Sequence, residues 1–215
     1  MYETVFFDLD GTLTEPSGGI MDSVEYALSK WNIKVADRND LRKFIGPPLV
    51  YSFKEFYGFS DEDAAKAVAY YREHFKKEGI YNNEVYADTV PVLEALKQAG
   101  KKIALATSKP EQFAKIILEH FDLAKYFDHI CGATMDNSRN TKEAVLEYAI
   151  ASAGVTDRKT AVMVGDRHHD IDGAKFCGID SIGVEYGFAE PNELKNAGAT
   201  YVVDELRDIL GIILQ

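Results

Sequence analysis

The chain has 215 residues, 46% hydrophobic and 27% charged, which excludes a wholly disordered chain and suits one large domain or a core carrying an insertion. Lys and Arg number 24 against 35 Asp and Glu, and the net charge of −11 disfavours a nucleic-acid backbone or an anionic membrane, which both call for a basic surface. Two cysteines, Cys131 and Cys177, make no secreted disulfide framework, Met1-Tyr2-Glu3-Thr4 lacks the basic start of a signal peptide, and no apolar run nears the ~20 residues of a membrane span, so a reduced, cytoplasmic setting is expected.

Val5-Phe6-Phe7 is a continuous apolar run ending at Asp8, and it predicts a strand buried on both faces. Residues 16–83 read differently. Ile20, Val24, Leu28 and Trp31 form one helical stripe, and Leu49, Phe53 and Phe56 form a second. Ala64, Val68, Tyr71 and Phe75 form a third, started by the capping-box pattern Ser60-Asp61-Glu62-Asp63. Pro16-Ser17-Gly18-Gly19 suits a linker leading in, and residues 79–83 suit one leading out. The expected division is therefore a core of 1–15 and 84–215 around a helical insertion of 16–83.

Past the insertion, helix and strand patterns alternate. Val90 to Ala99 reads as a helix capped by Asp88 or Thr89, with Pro91 in its first turn and Gly100 after its end. Ile103 to Ala106 is a second buried-strand run. Helical spacing follows at Phe113, Ile116, Ile117 and Phe121, then at Val145, Leu146, Ala149 and Ile150, closed by Gly154. Ala161 to Val164 is a third strand, and Ile182 to Val184 and Tyr201 to Val203 are weaker ones. This order predicts an α/β fold, a doubly wound parallel sheet of Rossmann-like type with an inserted helical domain.

The strand ends carry the chemistry. Asp8-Leu9-Asp10-Gly11-Thr12 puts two carboxylates one residue apart at the carboxyl end of a strand, where open α/β sheets bind ligands. Alternation along the strand places both on one side. Their repulsion is relieved by a cation, and hard oxygen ligands suit Mg²⁺. A polar strand end before a turn is the plainer reading of the same residues. Thr107-Ser108-Lys109-Pro110 offers hydroxyls and free N–H groups at a helix start, which suit a phosphate or simply cap the helix. Lys142 stands in the first turn of the next helix, where the dipole opposes a cation, so it meets an anion or is a solvated surface lysine. Gly165-Asp166-Arg167-His168-His169-Asp170 repeats the acid at a strand end, with a second acid four residues on that could cap the next helix while facing a metal.

These junctions, in this order, resemble the haloacid dehalogenase-like superfamily, in the subfamily of phosphoglycolate phosphatases and 5′-nucleotidase-like hydrolases. The resemblance covers essentially the whole chain, with residues 16–83 in the place of the small helical cap. It implies a Mg²⁺-dependent phosphomonoester hydrolase that acts on a small phosphorylated metabolite, phosphoglycolate-like or nucleoside-monophosphate-like, through an aspartyl-phosphate. It implies Asp8 as nucleophile and Asp10 as general acid and base. Thr107, Lys142 and the N–H groups of Leu9 and Ser108 would hold phosphate. Asp8, the Asp10 carbonyl and Asp166 would bind the metal, with Asp170 supporting them. Asp10 speaks against a long-lived phosphoenzyme, since the related transporters carry Thr there; Asp10 and Asp166 together speak against dehalogenation. The apolar turn Phe44-Ile45-Gly46-Pro47-Pro48-Leu49 would face the pocket. His168 and His169 are not demanded by the pattern. A phosphosugar mutase of the same fold and a non-hydrolytic phospho-acceptor module are the alternatives. No nucleic acid, membrane or obligatory protein partner is expected.

Overall fold

All four residues of β1 (Thr4–Phe7) are buried, as an uninterrupted apolar run requires of a strand covered on both faces. The computed structural model describes residues 1–136 and 138–215, and the chain divides into two units, Met1–Thr14 with Val85–Gln215 and Glu15–Glu84. The two-residue strands β2 (Thr14–Glu15) and β3 (Glu84–Val85) lie where the chain passes between them.

The shorter unit holds α1 (Ser17–Ser29), a 3-10 helix (Arg38–Phe44), α2 (Leu49–Tyr57) and α3 (Asp61–Lys77). Ile20, Val24, Leu28, Phe53, Ala64, Val68, Tyr71 and Phe75 are buried, and Ser60 caps α3 by accepting the Asp63 N–H at 3.1 Å. Two expectations fail here. Ser17-Gly18-Gly19 is the first turn of α1 rather than a linker. Gly19 is there for close approach: its N–H donates to Asn82 O at 3.0 Å, and a Cβ would collide with Gly79 O. Trp31 lies past the end of α1 instead of on its stripe, because Asn32 turns left-handed at φ 56°. Its ring packs on Phe59 and Tyr70 at 4.9 and 6.0 Å.

In the longer unit, α4 (Thr89–Gln98) leads to β4 (Lys102–Pro110), then α5 (Glu111–His120), β5 (His129–Ala133) and α6 (Lys142–Ala153). After these come β6 (Ala161–Gly165), α7 (His168–Cys177), β7 (Asp180–Val184), α8 (Glu193–Ala197), β8 (Tyr201–Val203) and α9 (Ile209–Ile213). The six long-unit strands form one parallel sheet in the order β5-β4-β1-β6-β7-β8. Strand order therefore reverses at β1, the switch point where such sheets bind ligands. Phe6 joins the cluster that buries Val145, Leu146 and Ala149 of α6 and Ala174 of α7; by alternation Val5 and Phe7 serve the other face. The strand β5 has no counterpart in the predicted elements, because His129-Ile130-Cys131-Gly132-Ala133 is mixed in polarity and only its last three residues are buried at the sheet edge. Among the described residues no helix is long and apolar enough to cross a membrane.

Register aligns the carboxyl ends of the central strands. Phe7 pairs with both Leu105 and Val164, and the Asp8 N–H donates to Val164 O at 3.0 Å. The loop after β6 is pinned from α8. Glu193 Oε1 accepts from the Arg167 guanidinium, the His168 backbone N–H and the His168 ring, each at 2.8 Å, and Oε2 accepts the Glu190 N–H at 2.9 Å. Burial pushes the Glu193 carboxyl up, but these donors outweigh it and hold it at about 2, below its ordinary 4.5.

A carboxyl depressed in the folded state contributes stability above its unfolded value and loses it as pH falls through the folded one. Replacing Glu193 by Gln is therefore expected to lower the thermal midpoint at neutral pH. Loss of charge-assisted bonds costs ~1–3 kcal/mol, or roughly 2–12 °C in a chain of this size. The gap from wild type should shrink as pH drops from about 4.5 to 2. A gap that stays constant over that window would show that the carboxylate charge is not what pins the loop.

Candidate active site

Asp8 follows β1 directly, with its side chain 13% exposed. Its Oδ1 accepts its neighbour's N–H, from Leu9 at 2.8 Å, and its Oδ2 stands 3.0 Å from Lys142 Nζ. Lys142 is the first residue of α6, whose cap Thr141 accepts the Ala144 N–H at 3.3 Å. The lysine turns inward and is buried. Its Nζ also meets Asp170 Oδ1 at 2.7 Å and donates to Ala106 O at 3.1 Å. One ammonium thus ties together β1, β4 and α7. Burial pulls the Lys142 ammonium down, but Asp170 and Asp8 outweigh it and hold it above its ordinary range. The reading of Lys142 as a solvated surface residue does not apply.

Asp166 follows β6 and is fully buried. Its Oδ1 accepts from the Thr12 hydroxyl at 3.0 Å and its Oδ2 from the Phe188 N–H at 2.8 Å. Burial raises its carboxyl well above the usual range, and the Asp170 and Asp8 charges add to this. Asp170 lies in the first turn of α7, where Oδ2 accepts the Arg167 N–H at 3.1 Å, so it caps the helix and faces the site at once. Burial pushes its carboxyl up to about 6, and Lys142 opposes the rise.

The chain makes room for this crowding. Gly11, at φ 84°, turns the chain after Asp10, and a Cβ on it would collide with the Asp166 carboxylate. A Cβ on Gly165 would strike Asp170, and one on Gly187 would strike Asp166. The Tyr186 hydroxyl donates to Thr12 O, holding the turn after β1 from the loop after β7.

Asp10 and Thr107 complete the floor. The Asp10 Oδ2 accepts from Lys109 Nζ at 2.5 Å, whereas its Oδ1 is buried without a hydrogen-bond partner. Burial raises the Asp10 carboxyl, Lys109 opposes this, and Asp8 adds to it. Thr107 is buried, with its Oγ1 accepting the Lys109 N–H at 3.2 Å, and Ser108 between them is half-buried. The residues expected to be catalytic, phosphate-binding or metal-binding thus lie at the carboxyl ends of β1, β4 and β6 or in the first turns of α6 and α7. His168 is taken up by Glu193. Sequence reasoning missed Lys109, Thr12 and the Phe188 N–H. The last has a visible signal, since Tyr186-Gly187-Phe188 follows the strand run Ile182 to Val184 and so is a further strand end.

The donor set fits a small divalent cation. Asp8, Asp166 and Asp170 each offer an oxygen, and these lie within 4.8 Å of one another. Mg²⁺ takes oxygen ligands at ~2.1 Å in a tight shell, so one ion is within reach of all three.

Comparison with known proteins agrees with this geometry. Residues 5–184 match the family described as haloacid dehalogenase-like hydrolase. A 5′-nucleotidase of Pseudomonas aeruginosa is 40% identical over 205 residues, covering 95% of this chain and 92% of its own length. A Mycobacterium tuberculosis protein named tyrosine-protein kinase PtkA is 36% identical, covering 98% of this chain and 73% of its own. The crystal structure of a predicted phosphatase from Clostridium acetobutylicum superposes with a TM-score of 0.95 at 47% identity, over 100% of this chain and 99% of that one. With its sheet order, its acid-bearing strand ends and its buried lysine arranged as described, the chain belongs to the haloacid dehalogenase-like hydrolase family.

Proposed function

We propose that this phosphatase is a Mg²⁺-dependent phosphomonoester hydrolase working through an aspartyl-phosphate on Asp8, with residues 16–83 as its cap and a cytoplasmic setting. The observation that carries this reading is Lys142, buried between Asp8 and Asp170 with Asp166 alongside. A structural ion pair needs one acid for one lysine. A surplus of buried carboxylates at a sheet switch point is costly unless a cation joins them, and that cation together with Lys142 supplies the positive charge an anionic substrate needs.

Asp8, Asp166 and the Asp10 carbonyl would hold the metal, with Asp170 behind them. When bound, Mg²⁺ neutralises charge on the oxygens of the transferring group. The chain's own residues do the rest. The Asp8 carboxylate attacks phosphorus, the bond to the ester oxygen breaks, and Asp10 gives that oxygen a proton. Asp10 then takes a proton from water as the water oxygen bonds to phosphorus, releasing phosphate and restoring Asp8. Lys142, the Thr107 hydroxyl and the N–H groups of Leu9 and Ser108 bind the phosphoryl oxygens, where charge gathers in the transition state. Burial keeps Asp10 protonated more readily than an exposed aspartate, which suits a proton donor.

The substrate is a small phosphorylated metabolite, nucleoside-monophosphate-like or phosphoglycolate-like, and the likeness to a 5′-nucleotidase supports the former. The likeness to a protein named a tyrosine kinase supports a second reading, in which the phosphoryl group on Asp8 passes to a tyrosine hydroxyl instead of water. A panel of small phosphomonoesters, with and without a tyrosine acceptor, separates them: free phosphate in the first case, phosphotyrosine in the second.

Two outcomes check the mechanism. Excess chelator should abolish phosphate release, Mg²⁺ should restore it, and Ca²⁺ should restore less because its looser, larger shell disturbs in-line attack. Full turnover in chelator would remove the metal. Asp10→Asn should turn p-nitrophenyl phosphate over as a burst followed by a slow phase, since p-nitrophenolate leaves unaided while water loses general-base help worth ~10²–10⁴-fold. Wild-type steady turnover of a poor-leaving-group ester by this variant would take Asp10 out of the mechanism.

A further inference from the structure

The two carboxylate oxygens of Asp10 are in different situations. Oδ2 is 2.5 Å from Lys109 Nζ, in an ion pair whose lysine side chain is 6% exposed. Oδ1 is buried and has no hydrogen-bond partner. A carboxylate turns about a soft terminal torsion, so without a clamp its oxygens would exchange places. Lys109 itself is held. It sits near the end of β4, and its N–H donates to the Thr107 hydroxyl at 3.2 Å.

We propose that Lys109 is a positioning residue that dictates which oxygen of Asp10 moves the proton. Held by Lys109, Oδ2 stays out of the chemistry. Oδ1, the oxygen without a partner, gives its proton to the departing ester oxygen, and takes one back from the attacking water as the phosphorus bond to Asp8 breaks. The inference rests on Asp10 being the acid and base of the proposed reaction. It adds a residue that acts only through Asp10, unlike Lys142, which touches the nucleophile.

The test is a double-mutant cycle read on two esters, an alkyl phosphate and p-nitrophenyl phosphate, with rates normalised to the folded enzyme. Lys109→Gln should slow the alkyl ester by ~10-fold or more while phosphoenzyme formation from the p-nitrophenyl ester falls less than ~3-fold, because only the former needs a well-aimed proton. In an Asp10→Asn background the same change should alter either rate by less than ~2-fold, the mark of two residues acting as one unit. Equal losses on both esters, or losses that multiply in the double variant, would overturn the proposal and place Lys109 on the phosphoryl group or in the fold alone. Wild-type rates in Asp10→Asn would instead withdraw the acid–base reading beneath it. Removing one member of a buried pair is strongly destabilising, so Lys109→Gln can fail to fold. Lys109→Arg keeps a cationic donor and is expected to hold the wild-type rate ratio between the esters within ~3-fold, as a conserved clamp would. A ratio as low as that of Asp10→Asn would overturn the proposal by this second route.

Discussion

One buried ammonium organises the site. Lys142 Nζ reaches Asp8 at the end of β1, Ala106 O in β4 and Asp170 at the start of α7. A lysine in the first turn of a helix stands against the helix dipole. It is tolerated because two carboxylates and a carbonyl surround it, and because its stem lies against Gly173, where a Cβ would collide with its Cγ. Without that charge, Asp8, Asp166 and Asp170 would crowd together with little to offset their repulsion. With it they still carry an excess of negative charge, and that excess gives the site its capacity for a divalent cation.

The rest of the longer unit reads as support for this arrangement. Gly11, Gly165 and Gly187 leave space that side chains would fill. Thr12 and the Phe188 N–H take both oxygens of Asp166, and Tyr186 ties the turn after β1 to the loop after β7. Glu193 clamps Arg167 and His168, so the loop carrying Asp166 is held from behind. Groups that stabilise a transition state do so best when they need not rearrange during the reaction. Here Asp166 is held by the Thr12 hydroxyl and the Phe188 N–H, and Asp170 by the Arg167 N–H, partners that lie outside the reacting centre.

Much of this was legible from residue order alone. Strands buried on both faces announce themselves as continuous apolar runs, and their carboxyl ends name the site once the sheet is read as parallel. Asp8, Thr107 and Asp166 were found that way. What escaped has physical reasons. The strand β5 is an edge strand of mixed polarity, so burial left no pattern on it. Gly18 and Gly19 resemble a flexible linker in sequence, yet Gly19 serves close packing of α1 on the 79–82 segment. Lys109 lies within a quoted motif, but its partner Asp10 is 99 positions away, and only the sheet register brings the two together. Lys142 was visible as an oddity against the helix dipole. Its burial depended on packing that no local pattern records.

In the proposed reaction Asp8 takes the phosphoryl group. Aspartyl-phosphate is an acyl phosphate, and borohydride reduces it to homoserine at the labelled position. Quenching the Asp10→Asn variant in its slow phase with Mg²⁺ and p-nitrophenyl phosphate, reducing, and sequencing the peptides by mass spectrometry reads the site directly, since loss of the general base lets the intermediate accumulate. Homoserine is expected at position 8, absent when substrate or Mg²⁺ is withheld. Homoserine at position 10, 166 or 170, or none in the slow phase of the Asp10→Asn variant, would contradict it.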